Sequence, residues 1–87
     1  MNKNIKVSFD FDDTLSRLSV QNFVRELNNK FDIWIVTSRL ETINNEDLFS
    51  VANFLNIKNI VFTNLEWKFI FFKDKDFLCH FDDFSQE

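Results

Sequence analysis

Short apolar runs and amphipathic stretches alternate along the whole chain. Ile5, Val7 and Phe9 alternate with Lys6 and Ser8, a period of two that stops at Asp10 and predicts a first strand. Val20, Phe23, Val24 and Leu27 then fall on one helical face, with Ser19 placed to cap it. Ile33-Trp34-Ile35-Val36 is a continuous apolar run, short and β-branched, which predicts a strand covered on both faces. Asn44 or Asn45 starts a second helix, with Glu46 and Asp47 in its first turn and an apolar face of Leu48, Val51, Ala52 and Leu55. Ile60-Val61-Phe62 reads as a third strand, residues 64–72 as a short third helix, and 77–81 as a fourth strand. Strands that alternate with helices in this way form an α/β domain whose sheet is parallel.

Ligands gather at the carboxyl ends of the strands of such a sheet. The four predicted strands end in Asp10-Phe11-Asp12, Thr37-Ser38-Arg39, Thr63-Asn64 and Asp82-Asp83. Four carboxylates meeting at one edge repel one another unless a cation lies among them. Oxygen donors with few His or Cys suit Mg²⁺, which keeps several waters and takes a phosphate oxygen readily. Hydroxyls and a guanidinium nearby suit the remaining phosphate oxygens, so the edge reads as a site for phosphate plus Mg²⁺.

At 87 residues the chain makes one domain. A net charge of −4 excludes a broad basic surface for nucleic acid, though not a small phosphate site. The single cysteine, Cys79, excludes an internal disulfide framework and fits a reducing compartment. No apolar run reaches the ~18–20 residues of a membrane span, and the first residues lack a signal peptide's pattern, so the expected location is the cytoplasm. The chain has no Gly and no Pro. Left-handed positions must then fall to other residues, and Asn28, Asn29, Asn44, Asn45, Asn56, Asn59 and Asn64, all between periodic segments, are the candidates. Cys79, Trp34, Trp67 and most of the 13 Phe are expected in the core, Arg39 in a surface ion pair, and His80 as a packed or hydrogen-bonded residue rather than a ligand.

The run Val7-Ser8-Phe9-Asp10-Phe11-Asp12-Asp13-Thr14-Leu15 resembles the first motif of the haloacid dehalogenase (HAD) superfamily, an apolar strand followed by Asp-x-Asp-x-Thr. Residues 33–37, a strand ending in Thr37, resemble the second motif. Lys68 stands where the third-motif lysine is expected, with Lys73 as its rival, and Asp82-Asp83 resembles the paired acids of the fourth motif. The resemblance spans nearly the whole chain in the right order. It implies a small Rossmann-like three-layer sandwich, with about four parallel strands in the order 4-1-2-3 and helices on both faces. Neither the gap at 15–19 nor the one after Thr37 holds enough chain for a cap domain.

The resemblance also implies a mechanism, that of a Mg²⁺-dependent phosphatase. Asp10 is the nucleophile that forms an aspartyl-phosphate, and Asp12 is the acid and base for the leaving oxygen and the incoming water. Asp10, the main-chain carbonyl of Asp12, Asp82 and Asp83 form the metal shell. Thr14, Thr37 or its rival donor Ser38, and Lys68 serve the phosphoryl group. An uncapped site suits a nucleotide or a nucleic-acid end. Family domains commonly continue past the fourth motif with another helix and strand, whereas four residues follow Asp83 here. The fourth strand is therefore expected at a sheet edge, which a homodimer would cover. Two other classes compete. One is a response-regulator receiver, which needs an acid where Thr63-Asn64 stands; the other is a catalytically weak binding module, such as a viral or mobile-element accessory protein.

Overall fold

The computed structural model describes residues 5–65, 72 and 75–82. Its elements are β1 (Lys6–Phe9), α1 (Leu18–Leu27), β2 (Asp32–Thr37), α2 (Glu46–Leu55), β3 (Asn59–Phe62) and β4 (Phe77–Phe81). The four strands form one sheet in the order β3-β2-β1-β4, and every pairing is parallel. This is the expected order 4-1-2-3, read from the other side. Val7 lies opposite Ile33 and Phe9 opposite Ile35, while Phe9 lies opposite Phe81 on its other flank. The β1–β4 register slips once, between Lys6 and Val7.

Both connections from β1 to β3 step the same way across the sheet, and right-handed crossovers then put α1 and α2 on one face. The core agrees. Val7, Phe9, Ile33 and Ile35 from the sheet cluster with Val24 of α1 and with Leu48, Ala52 and Leu55 of α2. Val51, Val20 and Leu27 pack partly against this cluster. The opposite face carries Ser8, Trp34, Phe77 and His80. The Trp34 and Phe77 rings lie 5.4 Å apart, Lys6 Nζ stands over both, and Phe72 packs against Phe77 and His80. The third helix expected over 64–72 falls mainly outside the described residues, as do Trp67 and Lys73. No described helix is long and apolar enough to cross a membrane.

Several local expectations are corrected. Helix α1 begins at Leu18 with Arg17 as its cap residue, so Ser19 lies inside the helix. The turn after β1 delivers the chain into helical geometry early, and the Arg17 carbonyl accepts from the Val20 and Gln21 amides. Of the asparagines, Asn56 (φ 59°) and Asn64 (φ 55°) are left-handed, together with Asp13 and Leu65. The others take no left-handed turn, and several instead bond through their side chains. Asn28 Nδ2 donates to the Leu55 carbonyl at the end of α2, Asn59 Nδ2 to Asp32, and Asn44 Oδ1 accepts from the Glu46 amide. Cys79 is exposed rather than in the core, because β4 lies at the edge of the sheet among the described residues. Trp34 is half-buried, and Phe23, Phe49, Phe54 and Phe81 are exposed, Phe54 by 65%.

Candidate active site

Asp10 follows directly on β1 and is buried, with 9% exposure. Its amide donates to the Phe81 carbonyl at 2.9 Å, which carries the β1–β4 pairing to the end of both strands. Its Oδ1 accepts from the Phe11 amide at 2.8 Å. Its carbonyl accepts from the Leu15 amide at 3.1 Å, and the Phe11 carbonyl from the Ser16 amide at 2.9 Å, closing a wide turn over Phe11–Leu15. Within this turn Asp12 is extended and Asp13 is left-handed at φ 58°, a conformation that short polar side chains tolerate best after Gly. The Asp13 amide donates to Ser16 Oγ at 3.1 Å. Thr14 is buried, and its Oγ1 has no hydrogen-bond partner among the described residues.

The β4 end lies beside the β1 end. Phe81 pairs with Phe9, so Asp82 and Asp10 leave the sheet side by side at the same edge. The two rings stack at 4.7 Å beneath them. His80 Nε2 stands 3.5 Å from Asp82 Oδ2. On the other flank, Thr37 ends β2 fully buried. Its carbonyl accepts from the Thr63 amide and hydroxyl, and its Oγ1 from the Arg39 amide at 3.3 Å. The Ser38 carbonyl accepts from the Leu65 amide at 2.8 Å, tying the ends of β2 and β3 together. Asp10, Asp12, Asp82, Thr37 and Ser38 thus all follow or end strands at one edge. Lys68 and Asp83 lie outside the described residues.

Arg39 organises this edge to a degree that sequence spacing does not reveal. Its guanidinium grips both oxygens of Asp12, from Nε at 3.0 Å and Nη2 at 2.8 Å. It grips both oxygens of Asp47 as well, at 2.8 and 2.9 Å, and donates to Asn45 Oδ1 at 3.2 Å. The group lies 4.9 Å over the Phe11 ring. The expected ion pair of Arg39 is therefore present, with two acids at once. The hydrogen bonds to Asp47 and then Asp12 push the guanidinium pKa above its ordinary value. In return Arg39 holds the Asp47 carboxyl down at about 2. An open cavity of about 620 Å³ adjoins this network, lined by Asp12, Arg39, Ile43, Asn44, Glu46 and Asp47.

Among the described residues no group of three or more His, Cys, Asp or Glu side chains is arranged to hold a metal ion. Mg²⁺ asks less than that, since one or two carboxylates with waters and a substrate phosphate are its usual shell. The Asp12 side chain is engaged by Arg39, so a cation at this edge would draw on that residue's main-chain carbonyl together with the carboxylates of Asp10 and Asp82. An all-oxygen set of this kind fits a hard cation. Comparison with protein-family models, with curated proteins and with solved structures finds no match.

Proposed function

We propose that the chain is a Mg²⁺-dependent phosphomonoester hydrolase of the HAD type, acting through an aspartyl-phosphate on Asp10. The observation that carries this reading is the parallel pairing of β1 with β4, which brings Asp10 and Asp82 out of the sheet together. In this reading the domain is a Rossmann-like three-layer sandwich without a cap. Asp10, the Asp12 main-chain carbonyl and Asp82, with Asp83, would hold Mg²⁺, whose charge would offset that of the phosphoryl group.

An Asp10 oxygen attacks phosphorus in line with the leaving oxygen, whose bond to phosphorus breaks as Asp12 supplies the proton. Water then attacks the aspartyl-phosphate, Asp12 takes its proton, and the bond from phosphorus to Asp10 breaks to release phosphate. Thr37, Ser38, Thr14 and Lys68 serve the phosphoryl oxygens, work that is chiefly positioning and charge stabilisation. The open site suits a nucleotide or a nucleic-acid end, in the cytoplasm, with a homodimer covering the β4 edge.

A second reading, a catalytically weak binding module, is favoured by one observation: both Asp12 oxygens are held by Arg39, so the proposed acid and base must open one of these bonds to act. Turnover of p-nitrophenyl phosphate, nucleotides and phosphorylated nucleic-acid ends, with and without Mg²⁺, separates the two. The enzyme reading expects Mg²⁺-dependent turnover that Asp10→Asn lowers by roughly 10³-fold or more while the fold persists. Turnover that survives in Asp10→Asn removes Asp10 as nucleophile, and a folded wild type inert on every substrate selects the binding module.

A further inference from the structure

A serine with no exposure sits in the middle of a central strand, where an apolar residue would pack at less cost. The sheet register puts Ser8 of β1 directly opposite His80 of β4, and Ser8 Oγ lies 2.7 Å from His80 Nδ1. The other ring nitrogen of His80 lies 3.5 Å from Asp82 Oδ2, a charge-pair distance at which the two have not closed a hydrogen bond. Phe72 packs against the imidazole with ring centres 5.0 Å apart. A nitrogen lone pair turned toward a carboxylate would be repelled, so Nε2 carries the hydrogen. In the neutral ring Nδ1 then accepts from the Ser8 hydroxyl, which can donate or accept and so holds the imidazole in place without choosing its tautomer.

We propose that Ser8 and His80 are positioning residues for Asp82: the serine fixes the imidazole, and the imidazole N–H orients the Asp82 carboxylate toward the cation. This deepens the Mg²⁺ reading of the site and rests on it. Outer partners that orient a ligand commonly change metal affinity by roughly 10–100-fold when removed. Neither residue needs to touch the metal or the substrate for this.

The test is calorimetric titration with Mn²⁺ alone, as a probe of the Mg²⁺ site, in the full chain. Circular dichroism and thermal melting identify the variants that are folded. The expected result is an Mn²⁺ Kd raised roughly 10-fold or more in His80→Leu and raised, by less, in Ser8→Ala. Ser8→Ala is the sharper arm, because it acts only through His80. His80→Gln, whose amide reaches the place of Nε2, recovers part of the loss, and His80→Asn, whose amide reaches only the place of Nδ1, does not. If His80→Leu were to unfold, Ser8→Ala and His80→Gln against His80→Asn still decide the matter. Wild-type Kd in both Ser8→Ala and the folded His80 variants overturns the positioning role and leaves the Mg²⁺ reading standing. A loss in His80 variants with Ser8→Ala unchanged overturns the serine's part. A wild type that does not bind Mn²⁺ overturns both this proposal and the metal reading.

Discussion

Arg39 shows how much of this protein's edge depends on one side chain. A planar guanidinium can hold two carboxylates by their forks, which a lysine cannot. Its partners, Asp12 and Asp47, lie on separate segments, so the turn after β1 is tied to the start of α2. The motif pattern singles out Asp12, but Asp47 reads in the sequence only as an acid in a first helical turn. Its bond to Arg39 depends on where β2 ends, which local spacing does not encode. The pairing also predicts a pH dependence. Asp47 titrates at about 2 in the fold against 3.8 ordinarily, a depression caused first by the Arg39 hydrogen bonds. Its stabilising contribution is therefore present above about pH 4 and is lost as pH falls toward 2. Because the Asp47 side chain is 60% exposed, solvent screening keeps the effect small. Thermal melts from pH 7 to pH 2 are expected to show a lower Tm for Asp47→Asn at neutral pH and a shallower decline below pH 4. Parallel curves for the two proteins would remove Arg39–Asp47 as a stabilising pair.

At the level of elements, strands were the most legible feature, because two-residue alternation and short β-branched runs depend only on neighbours in sequence. All four appear within a residue or two of their expected bounds. The apolar face expected for α2 is also the one that packs. The start of α1 was not legible, since a turn closed by Asp10 and Phe11 carbonyls, rather than a capping side chain, sets it. The asparagines were legible only in part, two of the seven candidates, Asn56 and Asn64, being left-handed. The absence of Gly correctly points to Asn at left-handed positions, as at Asn56, which ends α2 with φ 59° and ψ 40°. It does not say which asparagines will instead spend their amides on side-chain bonds, as Asn28 and Asn59 do. Asn56→Ala is expected to cost about 1 kcal/mol in urea unfolding, from the Cβ clash of a left-handed alanine. Asn56→Gly should fall within about 0.5 kcal/mol of wild type, relief of the clash being offset by a freer unfolded chain. An Ala variant as stable as wild type would mean that the left-handed cap contributes nothing.

For the molecule as a whole, the parallel order of strands decides the functional reading. With β1 central and β4 beside it, residues 72 positions apart in the chain become neighbours, and Asp10 and Asp82 share an edge with Thr37. Alternating strands and helices carried the parallel sheet and its polar strand ends, while the place of β4 beside β1 was an expectation from the family resemblance. The sequence did not carry the pairing of Ser8 with His80, which depends on a register that slips once along β4. The small core also leaves aromatic residues uncovered, among them Phe23 and Phe81 near the β4 edge. The most direct test of the whole account is a crystal structure of the chain soaked with Mg²⁺ and a phosphoryl mimic such as beryllium fluoride. The account predicts one cation bound by Asp10 and Asp82 oxygens and the Asp12 carbonyl, with the mimic attached to Asp10. A cation held elsewhere, or a mimic that leaves Asp10 bare at saturating concentration, would contradict it.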